Sequence, residues 1–197
     1  LSTTLNTIYV NLPILVIAGS SRNFAYTADF GFVYRLLSSP VGIIRQVFGQ
    51  LFLADSLRTR NLMKDEISRL NNAVKKTVLY SSVTYVVIAL LLISIFVFCV
   101  ENEFITFSNW SLLFFVFIAI SSQAAINPIA SIRTALKEES LFLIVDVFRI
   151  FLLAAALFSF AGSTDYHRVF GLVSFALYMS YLIFIRSRLI TLESTNS

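Results

Sequence analysis

Long apolar runs separated by short polar breaks dominate the chain, at about residues 3–20, 24–53, 78–100, 111–132, 141–160 and 168–186. A helix rises ~1.5 Å per residue, so runs of this kind are long enough to cross or nearly cross a ~30 Å hydrocarbon core. A helix is also the form in which one run satisfies its own backbone N–H and C=O groups where no water is present. The pattern therefore predicts an all-α integral membrane protein, a six-transmembrane-helix bundle. Residues 57–76 break it: Met63, Ile67, Leu70 and Val74 recur at helical spacing opposite Lys64, Arg69 and Lys75. That spacing predicts a cytoplasmic amphipathic connector helix lying along the membrane, its apolar stripe in the interface and its cations toward lipid headgroups. The run is short and tethered to the bilayer, which argues against a nucleic-acid partner.

The runs differ in what interrupts them. The first carries Asn6, Asn11 and Pro13, and a tight turn over residues 19–23 pairs it with the second as a hairpin. The second, FAYTADFGFVYRLLSSPVGIIRQVFGQLFL, holds Asp29, Arg35 and Arg45 and is bent by Pro40. As one helix it would be roughly 45 Å long. The third is the most uniform, and the short acidic loop after it leads to Trp110, placed as an interfacial aromatic. The fourth has Gln123, Asn127 and Pro128 in its inner half, the fifth has Asp146 and Arg149, and the sixth closes on Arg186 and Arg188.

Composition agrees with the pattern. Hydrophobic residues make up 57% of the chain and charged residues 13%, with a mean hydropathy of +0.82; an average soluble chain is about 25% charged. One cysteine, Cys99, and one histidine, His167, exclude an internal disulfide and any zinc or iron–sulfur site with the usual ligand spacing, so no metal is expected. The opening LSTTLNTIYV lacks Met and the positive flank of a signal peptide, and reads as the later part of a longer protein.

Of the fifteen Lys and Arg, ten lie in the segments after the second, fourth and sixth runs, while only Arg22 and Arg168 lie on the other side. The positive-inside rule then puts both termini of this segment in the cytoplasm. The remaining three, Arg35, Arg45 and Arg149, fall inside runs. A charge near the bilayer centre costs on the order of 2.5–3.5 kcal/mol on insertion scales, so Arg35 is expected to face a partner or a watery cavity. Arg45 lies nearer the inner end, where it either snorkels to the headgroups or serves a cavity mouth. Asp146 and Arg149 are three apart, the spacing of an intrahelical ion pair. Asp29 sits about a turn inside the outer interface, where it is wet, paired with a neighbouring helix, or titrating in an ion-coupled cycle; Asp146 is the second candidate for coupling. His167 is read as solvated or interfacial. Arginines in a membrane cavity suit an anionic cargo, since a planar fork of donors holds phosphate or diphosphate oxygens. No nucleophile motif, Gly-rich phosphate loop or ATP-binding signature appears, and no cofactor is implied.

The stretch NLPILVIAG followed by AYTADFGFVYRLLSSPVGIIRQVFGQLFL resembles the polysaccharide-transporter branch of the multidrug/oligosaccharidyl-lipid/polysaccharide exporter superfamily, the O-antigen and exopolysaccharide flippases. The likeness lies in the LP of the first run, the short outer turn and the aromatic–Arg–Leu element Tyr34, Arg35 and Leu36. Pro40, the Gln46 to Phe48 stretch, Trp110, and the Asn127–Pro128 pair complete it. The outer loop ENEFITFSNW and the turn SSRNF depart from the family's usual Gly and acidic pattern there. The resemblance implies one six-helix lobe of a twelve-helix flippase of the bacterial or archaeal cytoplasmic membrane, with an N-terminal six-helix lobe of the same protein as its partner. It further implies lobe rocking that moves a lipid-linked oligosaccharide of the undecaprenyl-diphosphate type from the cytoplasmic to the outer leaflet.

On this reading Arg35 and Arg45 bind the cargo, with Asn6, Asn11, Gln123 and Asn127 as polar lining. The rivals are a cation-coupled multidrug exporter of the same superfamily, a membrane glycan polymerase or ligase, and a structural membrane subunit. The enzyme is disfavoured by outer loops that are short and carry few charges.

Overall fold

The computed structural model describes residues 11–19, 24–56, 64–107, 109–136, 138–160, 163 and 165–195. They are helical almost throughout, because each apolar run closes its backbone hydrogen bonds within itself. Helix α1 covers 11–19 and α2 spans Phe24–Ser56; α3 runs Lys64–Glu101 and α4 Trp110–Ile126. A 3₁₀ turn over Asn127–Ser131 leads to the short α5 (Ile132–Ala135), followed by α6 (Glu139–Ser159) and α7 (Tyr166–Thr195). Among the described residues five helices are long and apolar enough to cross a membrane, the architecture of a multi-pass membrane protein. Asn6 and the first half of the first expected span lie outside the described residues.

Helix α4 is the axis of the bundle. It is the most buried of the five and packs against α7, α3 and α2. Asn109 caps it, its Oδ1 accepting from the Leu112 N–H at 3.3 Å and from the Ser111 hydroxyl at 2.7 Å. Its closest approach is to α7 at Gly171, where an added Cβ would stand 2.7 Å from the Phe115 carbonyl oxygen. The absence of a side chain there lets the two backbones meet. Where α2 meets α7, near the N-terminal ends of both, Phe30, Tyr34, Tyr166 and Phe170 interlock with ring centroids 5.6–6.0 Å apart.

Pro40 does not divide α2. It removes the N–H that would bond the Leu36 carbonyl, and the Ser39 hydroxyl donates to that carbonyl instead at 3.0 Å. The buried Tyr85 hydroxyl of α3 donates to the next carbonyl, Leu37, at 3.2 Å. Pro128 acts differently. There the α4 ladder tightens into the 3₁₀ turn, within an apolar stretch that still runs continuously over Trp110–Ala130 as the fourth span.

The expected surface connector is corrected. Residues 64–77 form one unbroken helix with the third span, and Ile67, Leu70 and Val74 are each only 1% exposed. An apolar stripe of that spacing fits a bundle groove as well as a bilayer interface, and here the protein takes it. Met63 and residues 57–62 lie outside the described residues. His167 is also corrected: it is 3% exposed, with its ring nitrogens 2.9 Å from the Tyr26 and Ser111 hydroxyls, so that it ties α7 to α2 and α4. Tyr166 beside it donates to the Pro13 carbonyl at 2.6 Å and anchors α1.

Candidate functional site

The buried side of α2 is apolar: Phe30, Val33, Tyr34, Leu37, Val41 and Ile44 all enter the core. Arg35 falls on the opposite side, exposed, with Gly31, Gly42 and Gln46 at the spacings that share a helix face. At Gly31 and Gly42 an added Cβ would meet nothing within 4 Å. No carboxylate pairs with Arg35 or with Arg45 among the described residues. Among the described residues Arg35 therefore has no carboxylate partner, and it stands outside the bundle's core. A cation on an outward face well inside a spanning helix needs water or another protein body against it.

Toward the C-terminal end of α2 that face deepens into a cleft of about 530 Å³ between α2 and the 3₁₀ turn after α4. Arg45, Gln46 and Gln50 form one wall; Asn127, Pro128 and Arg133 form the other. Its floor is the approach of Gly49 to the Pro128 backbone, 3.5 Å from where a Cβ would stand. The 3₁₀ turn packs against α2, and Asn127, Pro128 and Arg133 face the cleft from that side. Two of the residues expected from sequence, Arg45 and Asn127, thus meet in one place.

Behind that wall lies a charge cluster. Asp146 of α6 stands 3.4 Å from Arg149 and 3.5 Å from Arg133, so the expected intrahelical pair is present and has a third member. The Arg149 guanidinium also lies 4.5 Å from the ring centre of Tyr178 and 4.4 Å from that of Tyr181. Those faces attract a cation and help hold it between α6 and α7. Nearby, Arg188 of α7 donates to both carboxylate oxygens of Glu138, its Nε at 3.1 Å from Oε2, and joins the start of α6 to the end of α7.

The other expected residues lie apart. Asp29 lines a second cleft of about 680 Å³ at the opposite end, with Glu103, Thr106 and Phe107. Glu103 holds a left-handed backbone (φ 60°) in the loop that shapes it. The two coupling candidates, Asp29 and Asp146, are thus at opposite ends of the bundle. Gln123 is 1% exposed inside α4 and lines neither cleft, and its Nε2 is buried without a hydrogen-bond partner among the described residues. Asn11 is exposed on α1 and lines neither cleft.

Arg133 is the residue that the sequence does not single out, one of the ten cations in the segments after the second, fourth and sixth runs. The signal for it was the Asn127–Pro128 pair, which marks the place where the α-helix tightens to 3₁₀ and lines the cleft a few residues before Arg133. No family model, curated protein or solved structure matches the chain.

Proposed function

We propose that the protein is a membrane flippase that carries a lipid-linked oligosaccharide, through its phosphate or diphosphate group, from the cytoplasmic to the outer leaflet. The observation that carries this reading is the outward face of α2. Arg35 and Arg45 lie on it without carboxylate partners among the described residues, beside glycines that leave open space. An arginine fork suits phosphate oxygens, and a cationic face at membrane depth repels lipophilic cations. The likeness of the Tyr34–Leu36, Pro40 and Gln46–Phe48 elements to polysaccharide flippases supports the same cargo. On this reading a preceding lobe covers the α2 face, the two lobes rock about the passage, and the membrane is the bacterial or archaeal cytoplasmic one.

Replacing Arg35 with Ala is expected to abolish surface polysaccharide while the protein stays in the membrane at its normal amount. Polymer at the normal level would remove Arg35 from the mechanism. A second reading, a cation-coupled exporter, draws on the second cleft, where Asp29 and Glu103 put acidic side chains in one recess. Expulsion of a lipophilic cation that depends on Asp29, with polysaccharide unchanged, would favour that reading.

A further inference from the structure

The cleft between α2 and the 3₁₀ turn and the charge cluster behind it share one residue. Arg133 lines the cleft and also points a guanidinium nitrogen at Asp146, 3.5 Å away with 22% of its side chain exposed. Charge-assisted N–H···O⁻ bonds normally close to about 2.7–2.9 Å. Both contacts of Asp146 are longer than that, at 3.4 and 3.5 Å.

The carboxylate is divided between two guanidiniums, and Arg149 has the two tyrosine rings as well. Among the described residues the cluster sets two guanidiniums against one carboxylate, and Arg133 is the less enclosed of the two: 22% of its side chain is exposed against 12% for Arg149. Across the cleft stands Arg45, with no carboxylate partner among the described residues. Gln46, Gln50 and Asn127 add amide donors to the same space. Two guanidiniums with amides between them, opening on a cleft of about 530 Å³, match the several acceptor oxygens of a phosphate ester or diphosphate.

From this geometry we infer that the cleft binds a phosphate or diphosphate group between Arg45 and Arg133, and that Asp146 is the resident counter-anion with which that group competes for Arg133. Binding transfers Arg133 from Asp146 to the ligand, while Arg149, clamped on Tyr178 and Tyr181, retains the carboxylate. Occupancy of the cleft is thereby felt at the α6–α7 contact. The inference rests on the flippase reading only for the identity of the cargo.

The sign of the competition makes it testable. Removing the carboxylate's charge frees Arg133, so Asp146→Asn tightens binding, by about threefold or more. Removing the rival arginine leaves Asp146 wholly to Arg133, so Arg149→Gln weakens it. Arg45→Ala and Arg133→Ala each lose about tenfold, the worth of one hydrogen bond to a charged group. Arg186→Ala, on an exposed position outside the cleft, leaves binding unchanged.

The measurement uses the full protein in phosphatidylcholine nanodiscs. One arm is equilibrium dialysis of radiolabelled inorganic pyrophosphate; the other is native mass spectrometry of protein released from nanodiscs that also contain phosphatidic acid. Pyrophosphate binding alone assigns the cleft to a free phosphate, and retained phosphatidic acid assigns it to a lipid headgroup; either supports the site. Failure of both probes to exceed the level of the Arg45→Ala, Arg133→Ala double variant overturns it. A shift of Asp146→Asn and Arg149→Gln in the same direction overturns the competition. Should Asp146→Asn not fold, the drop with Arg149→Gln alone decides, its absence counting against the competition. Binding with this pattern, in a protein whose Arg35→Ala variant exports normal polymer, would keep the cleft and refute the flippase.

Discussion

Asp146 and Asp165 show how depth sets the worth of an ion pair. Asp165 pairs with Arg168 at 2.9 Å, but both side chains are more than half exposed, so water and salt screen them. Asp146 has longer contacts, yet its side chain is 21% exposed and it is the counter-charge for two arginines inside the bundle. Removing one partner of a fully buried pair costs about 3–5 kcal/mol, whereas an exposed pair is worth about 0–1 kcal/mol. Asp146→Ala is therefore expected to destabilise the protein by on the order of 2 kcal/mol and to lower its melting temperature in detergent. Asp165→Ala should leave that temperature nearly unchanged. At this scale the sequence was informative where spacing decides, as with Asp146 and Arg149. It was silent where a distant turn supplies the partner, as with Arg133. His167 was misread for the same reason: its hydroxyl partners, Tyr26 and Ser111, come from two other helices, and nothing local announces them.

Among the elements, α3 departs furthest from expectation. The positions of Ile67, Leu70 and Val74 mark an apolar stripe, but the same stripe serves a helix lying on lipid and one packed on protein. What distinguishes them is the continuity of Lys64–Glu101, which no residue between 64 and 78 interrupts with Gly or Pro. The packed arrangement makes a clear demand. Leu70→Ala should cost about 2–4 kcal/mol, as a core truncation does, whereas a leucine resting in the interface would cost much less. Thermal melting of that variant beside Leu79→Ala, on an exposed position of the same helix, separates the two arrangements. The two prolines make the complementary point. Pro40 and Pro128 look alike in the sequence, but α2 runs on past Pro40 with the Ser39 hydroxyl on the freed Leu36 carbonyl, while at Asn127–Pro128 the α-helix passes into a 3₁₀ turn that lines the cleft.

For the whole molecule, the unresolved charge of α2 organises everything else. Its core-facing side is closed by aromatic packing against α7 and by α3 and α4, and Arg35 lies on the other side, exposed. The expectation of a cation at depth was legible from FVYRLL alone. The direction it faces was not, because which side of a helix is buried depends on which neighbours it acquires. The cleft between α2 and the 3₁₀ turn was half legible, through Arg45 and Asn127; that Arg133 joins them depends on how the chain packs after Asn127.

The account stands on that outward face being wet. Its most direct test places single cysteines at Gly31 and Gly42, where the structure has open space, in a Cys99→Ser background, and treats intact membranes with a charged thiol reagent. A cysteine at Phe148, on the exposed apolar side of α6, is the lipid-facing comparison. The account predicts labelling at Gly31 and Gly42 and none at Phe148. Protection of both glycine positions to the same degree as Phe148 would contradict it.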